Sequence, residues 1–279
     1  MIDMKMVDKN KNLKQLQKVE YQMLKDFDKF CRENDIEYCL TYGTLIGAVR
    51  HKGFIPWDDD IDVFVKAEDY LKLESIFNEK QTDGKYFLQT VKTDIYNWNL
   101  WDCVRLNNTA YHIEDWDYSR INSGIFIDIF PLADFPSEKK EVRKVVLWHR
   151  ICNILAKDNV IGNKKRDFSY GMVGKVLSAL SKMIPENVRI RLLQKYMYKI
   201  LNYKSDSGLC FSTVRTTAVF PKEWFKENVL LDFEDGKYPC PKQYDAFLRN
   251  VYGDYMQLPK ESERAGHGKV EVCFDTTKE

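Results

Sequence analysis

The sequence predicts an α/β (α+β) fold: a mixed sheet core with flanking helices and a basic helical insertion. Three observations carry that expectation. Helical and strand patterns alternate from Leu13 to Phe130, a helical and strongly basic stretch runs from Lys139 to about Tyr203, and strand and hairpin signals resume at Phe211. We therefore divide the 279 residues into an α/β core over 1–135, a basic helical segment over 136–205, and a closing part over 206–279 that completes the core.

The elements follow in order. Leu13, Leu16, Val19, Leu24, Phe27 and Phe30 recur near helical spacing and predict an amphipathic helix that ends at Asn34-Asp35. Ile36 to Tyr42 reads as a strand, Gly43-Thr44 as a turn, and Leu45 to Arg50 as a short helix. Gly53 and Pro56 break the chain into a loop, Asp60 to Val65 reads as the second strand, and Ala67 to Phe77 as a helix with acidic residues in its first turn. Further strands are expected at Tyr86 to Thr90, Trp98 to Asn107 and Gly124 to Phe130, the last stopping at Pro131. After the basic segment, Phe211 to Phe220 reads as a strand, Pro221 to Glu223 opens a short helix, and Val229 to Tyr238 folds as a hairpin about Asp235-Gly236. Tyr244 to Tyr252 is a helix, and the tail beyond Glu261 reads as polar.

Composition narrows the function. Charged residues make up 30% of the chain, yet the net charge is only +1, and no aromatic–basic signature for RNA is present, which argues against a nucleic-acid partner. The charge is segregated: residues 136–205 hold 16 Lys and Arg against 5 Asp and Glu. Such a face suits an anionic glycan, an anionic membrane surface touched peripherally, or plain solvent. Val173, Val176, Leu177, Leu180, Met183 and Ile184 form an apolar stripe within it. Seven cysteines, odd in number and never in a CxxC pair, argue against a disulfide framework or a structural zinc site and favour a cytoplasmic setting. No run has the length of a signal peptide or of a membrane span.

The most informative stretch is Tyr42 to Phe64, YGTLIGAVRHKGFIPWDDDIDVF. Asp60 and Asp62 stand two apart at the start of a β-branched strand, so both carboxylates leave one face. Adjacent like charges are costly unless a cation lies between them, and a hard divalent ion such as Mg²⁺ or Mn²⁺ with oxygen ligands is the usual answer. Asp128, alone among Ile127, Ile129 and Phe130, needs a partner of its own and is the candidate third carboxylate. Gly43 and Thr44 sit where a phosphate meets a helix N-terminus. Arg50, Lys52 and Arg105 are candidates to neutralise a diphosphate, or are surface charges. Trp57, Trp98, Trp101 and Trp116 are candidates for an aromatic box around a quaternary ammonium, though core packing explains each one individually.

These motifs resemble the LicD family, relatives of fukutin within the nucleotidyltransferase-fold superfamily. The resemblance runs through YGTLIGAVRHKGFIPWDDDIDVFV, VRLNNTAY, GIFIDIFPLADFP and YGDYMQLP, with PWDDDID its most specific piece and RAGHGKV a looser match to the family's ending. It implies a nucleotidyltransferase-like core and a metal-dependent transferase. The implied reaction moves a phospho-alcohol, commonly phosphocholine from CDP-choline, onto a sugar hydroxyl of a cell-surface glycan, teichoic acid or lipopolysaccharide precursor that is in some cases lipid-linked. By the same likeness Asp60 and Asp62 are the metal pair, Asp128 the third carboxylate, and Gly43 and Thr44 the phosphate turn. The alternatives are transfer of glycerol or ribitol phosphate, a true nucleotidyltransferase, and a non-catalytic module that binds glycan or nucleotide.

Overall fold

The computed structural model describes residues 5–6 and 12–277, apart from 82, 98, 115–117, 159–175, 177–178, 182, 214–217 and 265. Helices and a mixed sheet alternate, which places the chain in the α+β class.

Strand β1 (Lys5–Met6) is followed by helix α1 (Asn12–Glu33), which buries Leu13, Leu16, Met23, Leu24, Phe27 and Phe30 along one stripe. Next come β2 (Tyr38–Leu40), α2 (Tyr42–Ile46) continued by a π-helical turn over Gly47–His51, β3 (Asp62–Lys66) and α3 (Ala67–Lys80). β4 (Tyr86–Gln89), β5 (Asp102–Leu106) and β6 (Ala110–Ile113) lead into the long β7 (Phe126–Phe135). The central sheet runs β2-β3-β7-β5-β4, parallel only between β3 and β7, and β7 is its spine.

β7 does not stop at Pro131. Its first half pairs with β5 up to Ile129, and from Leu132 onward its partner on that edge is β8 (Leu209–Ser212). Pro131 sits at this changeover of partners, where the missing N–H breaks no antiparallel ladder bond. The predicted strand over 211–220 resolves into β8 and β9 (Val219–Pro221), with part of the span between them outside the described residues.

Side-chain alternation sorts the sheet into two faces. Val63, Val65, Ile127 and Ile129 point towards α1 and α3, which pack together through Phe30 and Phe77 with ring centroids 4.7 Å apart. Asp62, Phe64, Asp128 and Phe130 share the other face, in register as the pairs Asp62–Asp128 and Phe64–Phe130. An aromatic layer covers that face. Phe64 meets Phe225 and Phe247 at 5.5 and 5.7 Å, and Phe247 lies on helix α6 (Tyr244–Tyr252), where α5 denotes Glu186–Leu201.

The basic segment contributes α4 (Lys139–Asp158) and α5, which pack against each other and onto the far half of β7 through Ala133, Phe135, Leu155, Leu193, Met197 and Phe211. Of its predicted apolar stripe, Val173 and Leu177 lie outside the described residues, while Val176, Leu180 and Met183 are exposed. The hairpin about Asp235-Gly236 forms as β10 (Asn228–Phe233) and β11 (Gly236–Pro241).

The tail is not merely polar. Val270–Cys273 forms β12, which buries Val270, Val272 and Cys273 and pairs with β6 on one side and β1 on the other. All seven cysteines are buried free thiols. Among the described residues no helix is long and apolar enough to cross a membrane.

Candidate active site

The aspartates converge. Asp62 opens β3 and lies directly across from Asp128 on β7, so strand register alone brings the two carboxylates together. Asp60 lies two residues before Asp62 in the approach to β3 rather than within the strand, yet it reaches the same point. Oxygens of Asp60, Asp62 and Asp128 all lie within 4.8 Å of one another.

All three groups are buried, and burial raises the pKa of each, helped at Asp60 and Asp62 by repulsion from neighbouring carboxylates. Asp60 is pushed up to about 6. Burial dominates at Asp128 too, opposed by the Cys103 thiol, which donates to its Oδ1 at 2.9 Å. The Trp101 indole N–H, without a well-formed hydrogen bond, also favours the ionised form of Asp128. Three crowded, partly desolvated carboxylates form a hard-oxygen donor set that fits a divalent cation such as Mg²⁺ or Mn²⁺.

Local structure explains why the loop holds this shape. The Asp62 N–H donates to the Thr44 hydroxyl at 2.8 Å, and the Thr41 N–H donates to the Asp62 carbonyl at 3.0 Å. Thr44 thus ties α2 to β3. A Cβ on Gly43 would stand 2.8 Å from Asp58 Oδ2, so glycine there admits the Asp58 carboxylate.

The sequence alone leaves the role of His267, within the loosely matching RAGHGKV stretch, open. Its Nδ1 is 3.0 Å from Asp59 Oδ1, its Nε2 is 3.6 Å from Asp60 Oδ2, and its backbone N–H reaches both Asp59 oxygens at 3.2 Å. Burial alone would lower the imidazole pKa, but the Asp59 hydrogen bond and the Asp60 charge outweigh it and hold it at about 10. Gly266 makes the approach feasible, since a Cβ there would fall 2.2 Å from Asp59 Oδ1. The available signal was the RAGHGKV stretch, whose partner Asp59 is 208 residues away in sequence.

A cavity of about 470 Å³ opens over the cluster, lined by Tyr42, Asp60, Asp62, Trp101, Asp128, Phe130, Val251, Tyr252 and His267. The remaining candidates lie elsewhere. Arg50 donates to the carbonyls of Tyr255 and Gln257. Lys52 is exposed in a left-handed turn. Trp57 lies under the Arg264 guanidinium at 5.1 Å. Arg105 is buried, donating to Gln89 and to the Gly124 carbonyl, and acts on Asp128 only through its charge. Trp98 and Trp116 lie outside the described residues. A second cavity, about 450 Å³, opens at the opposite end of β3, where Lys66, Lys204 and Lys222 pair with Glu37, Glu68 and Asp134.

A mixed sheet with an aspartate pair in parallel register, a third aspartate beside it and a cavity above presents a cluster of three carboxylates to one open space. Residues 35–173 match the family described as LicD/FKTN/FKRP, nucleotidyltransferase domain, and the chain belongs to the LicD family. It is 29% identical over 264 residues to the lipopolysaccharide cholinephosphotransferase LicD of Haemophilus influenzae, covering 93% of this chain and 97% of that protein. Shorter likenesses are 46% identity over 64 residues to the uncharacterized protein RP689 of Rickettsia prowazekii (23% of this chain, 24% of that one) and 29% over 146 residues to mannosyltransferase regulator 4 of Saccharomyces cerevisiae (48% and 12%).

Proposed function

We propose that this protein is a metal-dependent phosphotransferase that moves a phospho-alcohol from a CDP-linked donor, CDP-choline in particular, to a sugar hydroxyl of a surface glycan precursor. One observation carries the reading: Asp60, Asp62 and Asp128, drawn from separate stretches of chain, meet in one cavity. The end-to-end likeness to a lipopolysaccharide cholinephosphotransferase supports the choice of phosphocholine. Lipopolysaccharide, teichoic acid and lipid-linked precursors all present the required hydroxyl.

Asp60, Asp62 and Asp128 would hold Mg²⁺ or Mn²⁺, which when bound supplies charge neutralisation for a diphosphate. The acceptor oxygen forms a bond to the donor's outer phosphorus, the anhydride bond to CMP breaks, and the hydroxyl proton passes to a carboxylate of the cluster. His267, protonated between Asp59 and Asp60, adds a positive charge at the cavity wall for a diphosphate oxygen.

Incubation with Mg²⁺ and CDP-choline, CDP-glycerol or CDP-ribitol tests the reading without knowledge of the acceptor, through slow CMP release by hydrolysis. CMP release from any of them supports phospho-alcohol transfer. Pyrophosphate release from a nucleoside triphosphate instead would mark a nucleotidyltransferase, and no turnover of either kind would leave a binding module.

The basic segment bears on where the acceptor is met. Val176, Leu180, Met183 and Val188 are exposed within it, which supports peripheral contact with an anionic membrane on the cytoplasmic side. Flotation with anionic liposomes at low salt tests this, and failure to co-migrate removes it.

A further inference from the structure

The cavity has two chemically different walls. One is formed by the carboxylates and His267, the other by Tyr42, Trp101, Phe130, Val251 and Tyr252. Phe130 stands between its neighbours, with ring centroids 5.3 Å from Trp101 and 5.5 Å from Tyr42. Tyr252, at 46% exposure, forms the rim.

Each ring is placed by the fold. Phe130 follows Asp128 by two residues on β7, so the same face presents the carboxylate and then the ring. Trp101 directly precedes β5, whose Cys103 lies opposite Asp128. Tyr42 is held in the left-handed region at φ 43°, an uncommon conformation for a bulky residue and one that tends to mark functional positions. Val251 and Tyr252 end α6, which Phe247 anchors to the aromatic layer.

We infer that this wall receives the alcohol end of the donor and selects a quaternary ammonium group, with Trp101 and Tyr252 as specificity-determining residues. The inference rests on the phospho-alcohol reading above and names its substrate class. With a divalent ion held by the carboxylates and His267 beside it, a diphosphate would be drawn to that end of the cavity, which leaves the alcohol against the rings. Glycerol or ribitol would there bury hydroxyls that need partners, and a primary ammonium would bury three N–H donors. A trimethylammonium has no N–H to satisfy and is attracted to ring faces by their quadrupoles.

The test compares kcat/KM for CMP release from CDP-choline with that from CDP-ethanolamine in the wild type, Trp101→Leu, Tyr252→Leu and Tyr252→Phe. The expected result is a wild-type preference for choline that falls roughly three- to thirtyfold in each leucine variant and survives in Tyr252→Phe. Thermal melting checks folding, and the rim position of Tyr252 keeps the test open should Trp101→Leu unfold. A wild type that releases CMP yet does not prefer choline, or leucine variants that keep the full preference, would overturn the aromatic selector while leaving phosphotransfer standing. CMP release from no donor would instead sink the reading beneath it.

Discussion

At the scale of single residues, the site is governed by the cost of gathering like charges away from water. Asp60, Asp62 and Asp128 all have raised pKa values, with burial as the largest cause. A carboxylate whose folded pKa exceeds its unfolded value binds more protons in the folded state. Stability without a cation should therefore fall as pH rises from about 4 through the Asp60 value of about 6. Added Mg²⁺ or Mn²⁺ should restore it, more at pH 7.5 than at pH 5, as read from melting temperatures at the two pH values. An equal shift at both would show that these groups do not carry the effect.

Glu20 supplies a contrast at the same scale. It is fully buried on α1, neither of its oxygens has a hydrogen-bond partner among the described residues, and burial together with the nearby aspartates raises its pKa well above the ordinary carboxylate range. Replacing an unsatisfied buried polar group with an apolar one of similar size removes its desolvation penalty. Glu20→Met should raise stability by about 1–3 kcal/mol in chemical denaturation, and a loss of that size would show that Glu20 has a partner. Thr44→Val should act in reverse. It strips the acceptor from the buried Asp62 N–H and should cost about 1–3 kcal/mol in the same experiment.

At the scale of elements, strand register does most of the positioning. The parallel β3–β7 pair places Asp62 against Asp128 without help from any loop. The sequence pointed to this meeting, because an aspartate amid Ile127, Ile129 and Phe130 sits in a strand pattern and needs a partner there. The extension of β7 past Pro131 was not legible, since proline ends a strand unless the neighbour changes there, and the neighbour, β8, is some 80 residues further along. β6 and β12 were missed for a similar reason: they pair with each other across the whole chain, and their short polar–apolar runs carry no signal alone. The His267 loop depends on that pairing. Gly266→Ala should push the loop off Asp59 and lower turnover at least tenfold, with a melting temperature within a few degrees of wild type. Unchanged turnover would remove His267 from the machinery.

At the scale of the molecule, the cavity joins parts that are remote in sequence. Tyr42, Trp101, Phe130 and Tyr252 span more than 200 residues, and the tail contributes His267. Proximity in sequence was a poor guide to the secondary candidates for this reason. Arg50 and Lys52 stand beside the aspartates in the chain, but Arg50 is turned to the carbonyls of Tyr255 and Gln257, and Lys52 lies on the surface. The segregated charge of residues 136–205 includes that of α4 and α5, which pack on the far half of β7 from the aspartates.

Titration of Mn²⁺ into the wild type, Asp62→Asn and Asp128→Asn, followed by calorimetry or electron paramagnetic resonance, tests the central claim most directly. The wild type should bind the ion with all three carboxylates contributing, and each asparagine variant should weaken that binding at least tenfold while keeping its fold. An Asp128→Asn protein that holds Mn²⁺ as tightly as the wild type would contradict the shared site.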